Sequence, residues 1–160
     1  MNIYLIRHGK AEPASPLKKD RDRELTDEGT KIVKVSVEMW KDIINNFDAI
    51  ATSPYKRAVQ TAKIIANTFN FQDEILKDSS LMPGSDLKSI INLVKTLKVE
   101  NIALIGHQPD LGYHISKLVC GAEINLKLSP ASITRIFFEG SPKVGTGILE
   151  LLLQPYLPDT

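Results

Sequence analysis

Apolar residues fall into short runs separated by polar stretches marked with proline and glycine, and the runs alternate between two kinds of spacing. Ile3-Tyr4-Leu5-Ile6 is continuous and β-rich, which predicts a strand buried on both faces. Residues 48–52 (DAIAT) and 102–105 (IALI) repeat that character, and Ile75-Leu76 is a shorter version of it. Between these runs the spacing turns helical. Ile32, Val35, Met39, Trp40 and Ile43 follow a helix start at Thr26, whose hydroxyl suits an N-cap, with Asp27 and Glu28 in the favourable first turn. Gly29 weakens that start slightly. Ala58, Ala62, Ile65, Ala66 and Phe69 follow Ser53-Pro54, an N-cap with proline at the first helical position. Leu87, Ile90, Ile91, Val94 and Leu97 follow a cap at Ser85, and Leu111, Ile115, Leu118 and Val119 follow Pro109.

Residues 10–24 (KAEPASPLKKDRDRE) have two prolines, many charges and no period, which predicts an exposed loop. After Cys120-Gly121 the pattern becomes β, with Ile133 to Phe138 and Ile148 to Leu153 flanking the turn-rich EGSPKVGTG. Alternating strands and helices with a terminal strand pair predict an α/β fold, a three-layer αβα sandwich with a mainly parallel central sheet. No repeat, low-complexity tract or linker interrupts the chain, so residues 1–160 are expected to form one domain, as the length favours.

Composition narrows the function. Of the residues, 42% are apolar and 24% charged, a globular balance. Twenty Lys and Arg against 19 Asp and Glu leave a net charge of +1, which excludes a nucleic-acid binder working by bulk attraction to phosphate. A local cluster of arginines remains compatible with it. Cys120 is the one cysteine, so neither an intramolecular disulfide nor a multi-cysteine metal site is available, as expected in a reducing compartment. The apolar start is too short for a signal peptide, and no run approaches a membrane span. A cytoplasmic location and no membrane partner are the resulting expectations.

In open α/β sheets ligands bind beyond the carboxyl ends of the strands. Three predicted strands end in polar clusters: Arg7-His8-Gly9, Ser53-Pro54-Tyr55-Lys56-Arg57 and Gly106-His107-Gln108-Pro109. Parallel strands bring such ends together, and two of the three histidines stand there. Guanidinium forks bind phosphoryl oxygens in pairs. A neutral imidazole can attack phosphorus and carry the group covalently, and neighbouring positive charge keeps it neutral. One preorganised donor aimed at transition-state charge is typically worth about 3–4 kcal/mol. The residues therefore point to phosphoryl chemistry.

Arg7-His8-Gly9 after the first strand, Leu25-Thr26-x-x-Gly29, Ser53-Pro54-x-x-Arg57-Ala58-x-x-Thr61 and Gly106-His107 resemble, in order and spacing, the motifs of the histidine phosphatase superfamily. That resemblance implies a phosphoglycerate mutase-like fold. The short length and the segments RHGKAE, RELT, SPYKRAVQTA and GHQP are similar to its small SixA-type phosphohistidine phosphatase branch. The resemblance implies His8 as nucleophile, with Arg7, Arg57 and His107 completing a phosphate pocket. It also implies Arg23, the arginine before the Leu-Thr pair, as a phosphate ligand. Gly9 is expected beside the phosphate, with Gln108 and Ser132 as further contacts at the rim.

Larger members of the superfamily carry a carboxylic acid after the third strand to protonate the leaving oxygen. Here the segment is Leu81-Met82-Pro83-Gly84-Ser85-Asp86, with Asp86 the nearest carboxylate. A missing acid hurts ester hydrolysis, since acid catalysis contributes roughly 10²–10⁴-fold. It matters less for a phosphoramidate, whose imidazole leaves neutral once the ring is protonated. Protein-bound phosphohistidine, for example on a phosphotransfer domain, is therefore the expected substrate, with inorganic phosphate as product and the charged stretch Lys18 to Arg23 guiding the partner. No metal or organic cofactor is expected, because no Zn²⁺-type ligand spacing or nucleotide fingerprint is present. A phosphatase for small phosphate esters and a non-catalytic phosphohistidine-binding module are the alternatives. His114, beside the stripe of the last helix, is expected to be structural or partly exposed.

Overall fold

A computed structural model of the chain describes residues 1–155, so the last five residues of the expected 1–160 domain lie outside the described residues. The apolar runs become β1 (Asn2–Arg7), β2 (Ala49–Thr52), β3 (Leu76–Lys77), β4 (Asn101–Gly106), β5 (Ile133–Phe137) and β6 (Ile148–Leu153). The helical stretches become α1 (Asp27–Trp40), α2 (Lys56–Thr68), α3 (Leu87–Leu97) and α4 (Asp110–Cys120). The strands form one sheet in the order β3-β2-β4-β1-β5-β6. β3, β2, β4 and β1 are parallel, β5 runs against β1, and β6 runs against β5. The mainly parallel sheet is thus present.

Successive side chains along a strand point to opposite faces, and here each face is covered. Ile3, Leu5, Ile102 and Leu104 pack against Leu87, Ile90 and Val94 of α3 and Leu111, Ile115 and Leu118 of α4. Tyr4, Ile6, Ala103 and Ile105 pack against Val33, Val37 and Trp40 of α1 and Ala58, Ala62 and Ile65 of α2. These are the three layers predicted. Burying one such aliphatic side chain contributes about 1.5–3 kcal/mol, so the two central strands are the firmest platform in the molecule.

Three local expectations are corrected. In α1 Trp40 is buried as expected, but its buried apolar companions are Val33 and Val37, whereas Val35, Met39 and, just past the helix, Ile43 face solvent. The helix carries two overlapping apolar stripes, so spacing alone left its rotation undetermined. Gly29 settles it. It belongs to the buried face, and a Cβ there would stand 2.1 Å from the carbonyl oxygen of Lys10. That carbonyl accepts the Thr26 amide at 3.0 Å, while the Thr26 hydroxyl caps the helix by accepting from Gly29 N at 2.9 Å. The second correction is that α2 starts at Lys56, because the Ser53 hydroxyl accepts the Tyr55 amide in a tight turn and does not cap the helix. The third is that α3 is capped by Asp86, not Ser85.

Gly29→Ala should therefore destabilise the protein despite alanine's better helix propensity. We expect a net loss of about 1–3 kcal/mol, the usual cost of overpacking. Urea unfolding of the variant checks this, and unchanged or raised stability would contradict the docking of Lys10 on the helix.

Candidate active site

The register sets the carboxyl ends of three neighbouring strands in a row, Arg7 opposite Gly106 and Thr52 opposite Ile105. The chain leaves them under control: His8 N donates to Gly106 O at 3.1 Å, Ser53 N to Ile105 O at 3.0 Å and Arg7 N to Ser132 O at 3.1 Å. The residues that follow β1, β2 and β4 are thereby fixed beside one another. The His8 and His107 ring centroids lie 4.9 Å apart. They share a cavity of about 280 Å³ with Arg7, Arg23, Arg57 and Asp20, which Pro83 and Gln108 complete.

Arg57 ties the cluster together from the first turn of α2. Its Nε–H donates to His8 Nε2 at 3.1 Å and Nη1 donates to the Asp20 carbonyl at 2.7 Å. Its Nη2 reaches both Asp20 Oδ2 at 3.1 Å and His107 Nδ1 at 3.4 Å. Because a guanidinium only donates, these contacts determine both tautomers. His8 Nδ1 lies 2.7 Å from the Gly9 carbonyl, which only accepts, so Nδ1 carries the proton and the lone pair is on Nε2. In His107 the lone pair is on Nδ1, and Nε2–H donates to Ser53 Oγ at 2.8 Å. Ser53, expected to cap a helix, instead orients the second histidine.

Both imidazoles are neutral at ordinary pH. Burial lowers His8 to about 4, with the charges of Arg57, Arg7 and Arg23 adding to the shift and the Gly9 hydrogen bond opposing it. Burial also lowers His107 to about 3, helped by His8 and Arg57 and opposed by Asp20. The rings are 8% and 3% exposed, so water cannot relieve their protonated forms.

The structure brings together Arg7, His8, Arg23, Arg57 and His107. Arg7 donates to Leu128 O through Nη1, and its buried Nε–H has no partner among the described residues. Arg23 is held by the Glu12 carbonyl at 2.7 Å and by Asp20 Oδ1 at 2.6 Å. The remaining expectations need correction. Gly9 does not line the cavity: its amide donates to Thr61 Oγ1 at 3.1 Å, and a Cβ would meet Val33 at 2.5 Å, so it is a close-packing glycine. Gln108 lines the cavity, but its amide group is committed elsewhere, donating to Leu126 O and accepting from Gly112 N. Ser132 is 1% exposed and its hydroxyl has no partner among the described residues, so it is no rim contact. Asp86 borders a separate cleft. Its carboxylate caps α3 through Ser89 N and Oγ at 2.8 and 3.1 Å, and those hydrogen bonds hold it below the usual carboxylate range, the opposite of what an acid needs.

Two functional positions escaped sequence reasoning. Thr61, quoted only as part of a motif, accepts the Gly9 amide and donates to Arg57 O at 2.8 Å, locking the loop after β1 onto α2. Asp20, one acidic residue among many in the 10–24 loop, reaches into the cavity from a 3-10 turn, Asp20–Asp22. Nothing in its local spacing signalled that. Among the described residues no group of three or more His, Cys, Asp or Glu side chains is arranged to hold a metal ion.

The model of the histidine phosphatase superfamily (branch 1) matches residues 3–82, half of the chain. The chain belongs to the histidine phosphatase superfamily. A phosphohistidine phosphatase SixA homolog of Haemophilus influenzae is 28% identical over 151 residues, covering 88% of this chain and 90% of that protein. An uncharacterized protein of a Picosynechococcus species is 30% identical over 134 residues, covering 79% and 80%. The structure of the protein histidine phosphatase SixA complexed with tungstate superposes with a TM-score of 0.85 at 22% identity, covering 97% of both chains. The fold is accordingly phosphoglycerate mutase-like, and the chain is a phosphatase of the SixA-type branch. No helix among the described residues is long and apolar enough to cross a membrane.

The buried imidazoles link stability to pH. Their folded values lie below the 6.5 of an unfolded histidine, so the unfolded state binds more protons as pH falls, and stability drops with it. Between pH 7 and 5 we expect each of His8 and His107 to remove on the order of 2 kcal/mol. Urea unfolding across that window tests this: the dependence should flatten in His8→Asn and His107→Asn, and equal slopes in all three proteins would contradict it.

Proposed function

We propose that this phosphatase hydrolyses phosphohistidine on proteins through a phosphohistidine intermediate on His8, without a metal or organic cofactor. The observation that carries the reading is the tautomer of His8. Its Nε2 lone pair points at Arg57 in the cavity, and its Nδ1 proton is held by the Gly9 carbonyl. Such an imidazole is a nucleophile without a separate base. Arg7, Arg23 and Arg57 supply the phosphoryl-binding donors, with the unpartnered Nε–H of Arg7 a ready first contact. His107 takes up a proton beside the phosphoryl dianion and then donates from Nδ1. Its low value reflects burial and positive neighbours, and a bound dianion reverses the second of these.

The steps balance without an external acid. His8 Nε2 attacks phosphorus in line, the bond from phosphorus to the substrate nitrogen breaks, and the electron pair returns to that nitrogen, whose ring leaves neutral because its other nitrogen already carries a proton. Water then attacks the phosphoryl group, its bond to Nε2 breaks, and both protons of the water depart on dihydrogen phosphate. His8 departs neutral because Nδ1 never lost its proton. This second half is itself the hydrolysis of a phosphohistidine. Hydrolysis of that class of bond is thus already a step of the proposed cycle, and the names of its SixA relatives support the same substrate class. The absence of a protonated carboxyl group from the residues lining the cavity disfavours esters with poor leaving groups. The exposed, unpaired Cys120 fits action in the cytoplasm, with a phosphotransfer domain as one suitable partner and no role for nucleic acid.

Labelled-phosphate trapping tests the intermediate. The wild-type protein should hold an acid-labile label, His8→Ala should hold none and lose at least about 10³-fold in kcat, and chelators should leave turnover unchanged. An acid-stable label, or full activity in His8→Ala, would refute the mechanism. Comparing kcat/KM on a phosphohistidine peptide and on small phosphate esters tests the substrate, and faster turnover of the esters would select the small-molecule reading.

A further inference from the structure

The mouth of the cavity holds a carboxylate where a phosphatase needs to bind an anion. Asp20 Oδ2 sits 3.1 Å from Arg57 Nη2, its Oδ1 sits 2.6 Å from Arg23 Nη1, and its carbonyl accepts from Arg57 Nη1 at 2.7 Å. Together with His8 and His107, these contacts occupy every nitrogen of the Arg57 guanidinium. A phosphoryl group therefore cannot engage Arg57 and Arg23 fully while the carboxylate stays where it is. The Asp20 side chain is 52% exposed, so it has solvent into which to turn, whereas Arg57 is nearly enclosed.

In-line attack determines what lies beyond phosphorus. His8 is at the buried end, so the leaving group must point toward the mouth. Among the described residues that line the cavity, Asp20 is the one carboxylate. The Gln108 amide is already tied to Leu126 and Gly112, and Pro83 has no side-chain donor or acceptor. We propose that Asp20 determines specificity: the incoming phosphoryl group displaces its carboxylate from Arg57 and Arg23, and the freed carboxylate faces the leaving group and favours a cationic phosphorylated imidazole over a phosphate ester. The proposal rests on the phosphohistidine reading above.

The sign of the effect differs between the two substrates. A phosphohistidine ring protonated on its other nitrogen carries positive charge until the bond from phosphorus to nitrogen breaks. The pair then returns to the departing nitrogen, the proton stays on the other one, and a neutral imidazole leaves. A carboxylate beside the ring stabilises the protonated, reactive form. An ester oxygen gains negative charge as it leaves, and the same carboxylate repels it. Nor does Asp20 have a proton to give: burial alone would raise its pKa, but hydrogen bonds from Arg23 and Arg57 outweigh that and hold it below the usual carboxylate range.

The test compares full-length wild-type and Asp20→Asn protein on a phosphohistidine peptide and on p-nitrophenyl phosphate. The amide keeps the size and the backbone carbonyl contact while removing the charge. In Asp20→Asn we expect kcat/KM to fall on the peptide and to rise on p-nitrophenyl phosphate, so that their ratio drops about tenfold or more. A ratio within about threefold of wild type, whether both activities fall together or neither moves, overturns the proposal and leaves Asp20 as a holder of the arginines. Wild-type protein that cleaves p-nitrophenyl phosphate but not the peptide overturns the phosphohistidine reading itself, and the Asp20 proposal with it.

Discussion

The guanidinium of Arg57, a residue only 5% exposed, is the group on which the site depends. A buried positive charge is costly unless it is hydrogen-bonded, and here every guanidinium nitrogen is engaged, by the lone pairs of two histidines and by the carbonyl and carboxylate of Asp20. Each of those partners is thereby forced into one state. His8 and His107 must present a lone pair to Arg57, which fixes their tautomers. They must also stay neutral, because a second cation beside Arg57 in so little water is unfavourable. The lone pair on His8 Nε2 thus follows from packing and hydrogen bonding, with no separate base.

The fold supplies this arrangement cheaply. Arg57 stands on the first turn of α2, between Ser53 just before the helix and Thr61 one turn further along it. Ser53 Oγ receives the Tyr55 amide and His107, while Thr61 holds Arg57 O and Gly9 N. The spacing of Ser53, Arg57 and Thr61 therefore has a physical reason. One residue orients the second histidine, one bridges both histidines, and one secures the loop that carries the first. The parallel register of β1, β4 and β2 does the remaining positioning.

Much of this was legible in the sequence. Strands buried on both faces announce themselves as unbroken apolar runs, and polar clusters at their carboxyl ends must meet if the strands are parallel. For that reason the neighbourhood of His8, Arg57 and His107 could be inferred without coordinates. The rotation of α1 could not, because Ile32, Val35 and Met39 make as good a stripe as Val33, Val37 and Trp40, and only the approach of Lys10 to Gly29 decides between them. Gly9 and Gln108 illustrate another limit. Proximity in sequence to a catalytic residue locates a side chain, but what it hydrogen-bonds depends on distant segments, Thr61 in one case and Leu126 in the other. Asp20 was hidden because the path of an aperiodic loop has no spacing rule. Its place emerges only once Glu12 is seen to anchor Arg23, Lys18 and the Glu24 amide, folding residues 10–24 back over the cavity.

The charges explain why such a loop closes here. Three guanidinium groups converge on a cavity whose two imidazoles have been made neutral, so the positive charge there needs a counter-charge. An aspartate at the mouth is the smallest correction that the chain itself can make, and it uses the same geometry as a phosphoryl group, one oxygen to each of two arginines. A carboxylate has one negative charge and a phosphoryl dianion has two, so exchange of one for the other favours the ligand without requiring the protein to hold bare cations in its absence. The paired arginines therefore need no ligand to stay in place, and under the proposed displacement the affinity for phosphate is tempered by the need to move Asp20. That same need helps an enzyme release inorganic phosphate at the end of each turnover, since the returning carboxylate competes for the arginines the product must leave.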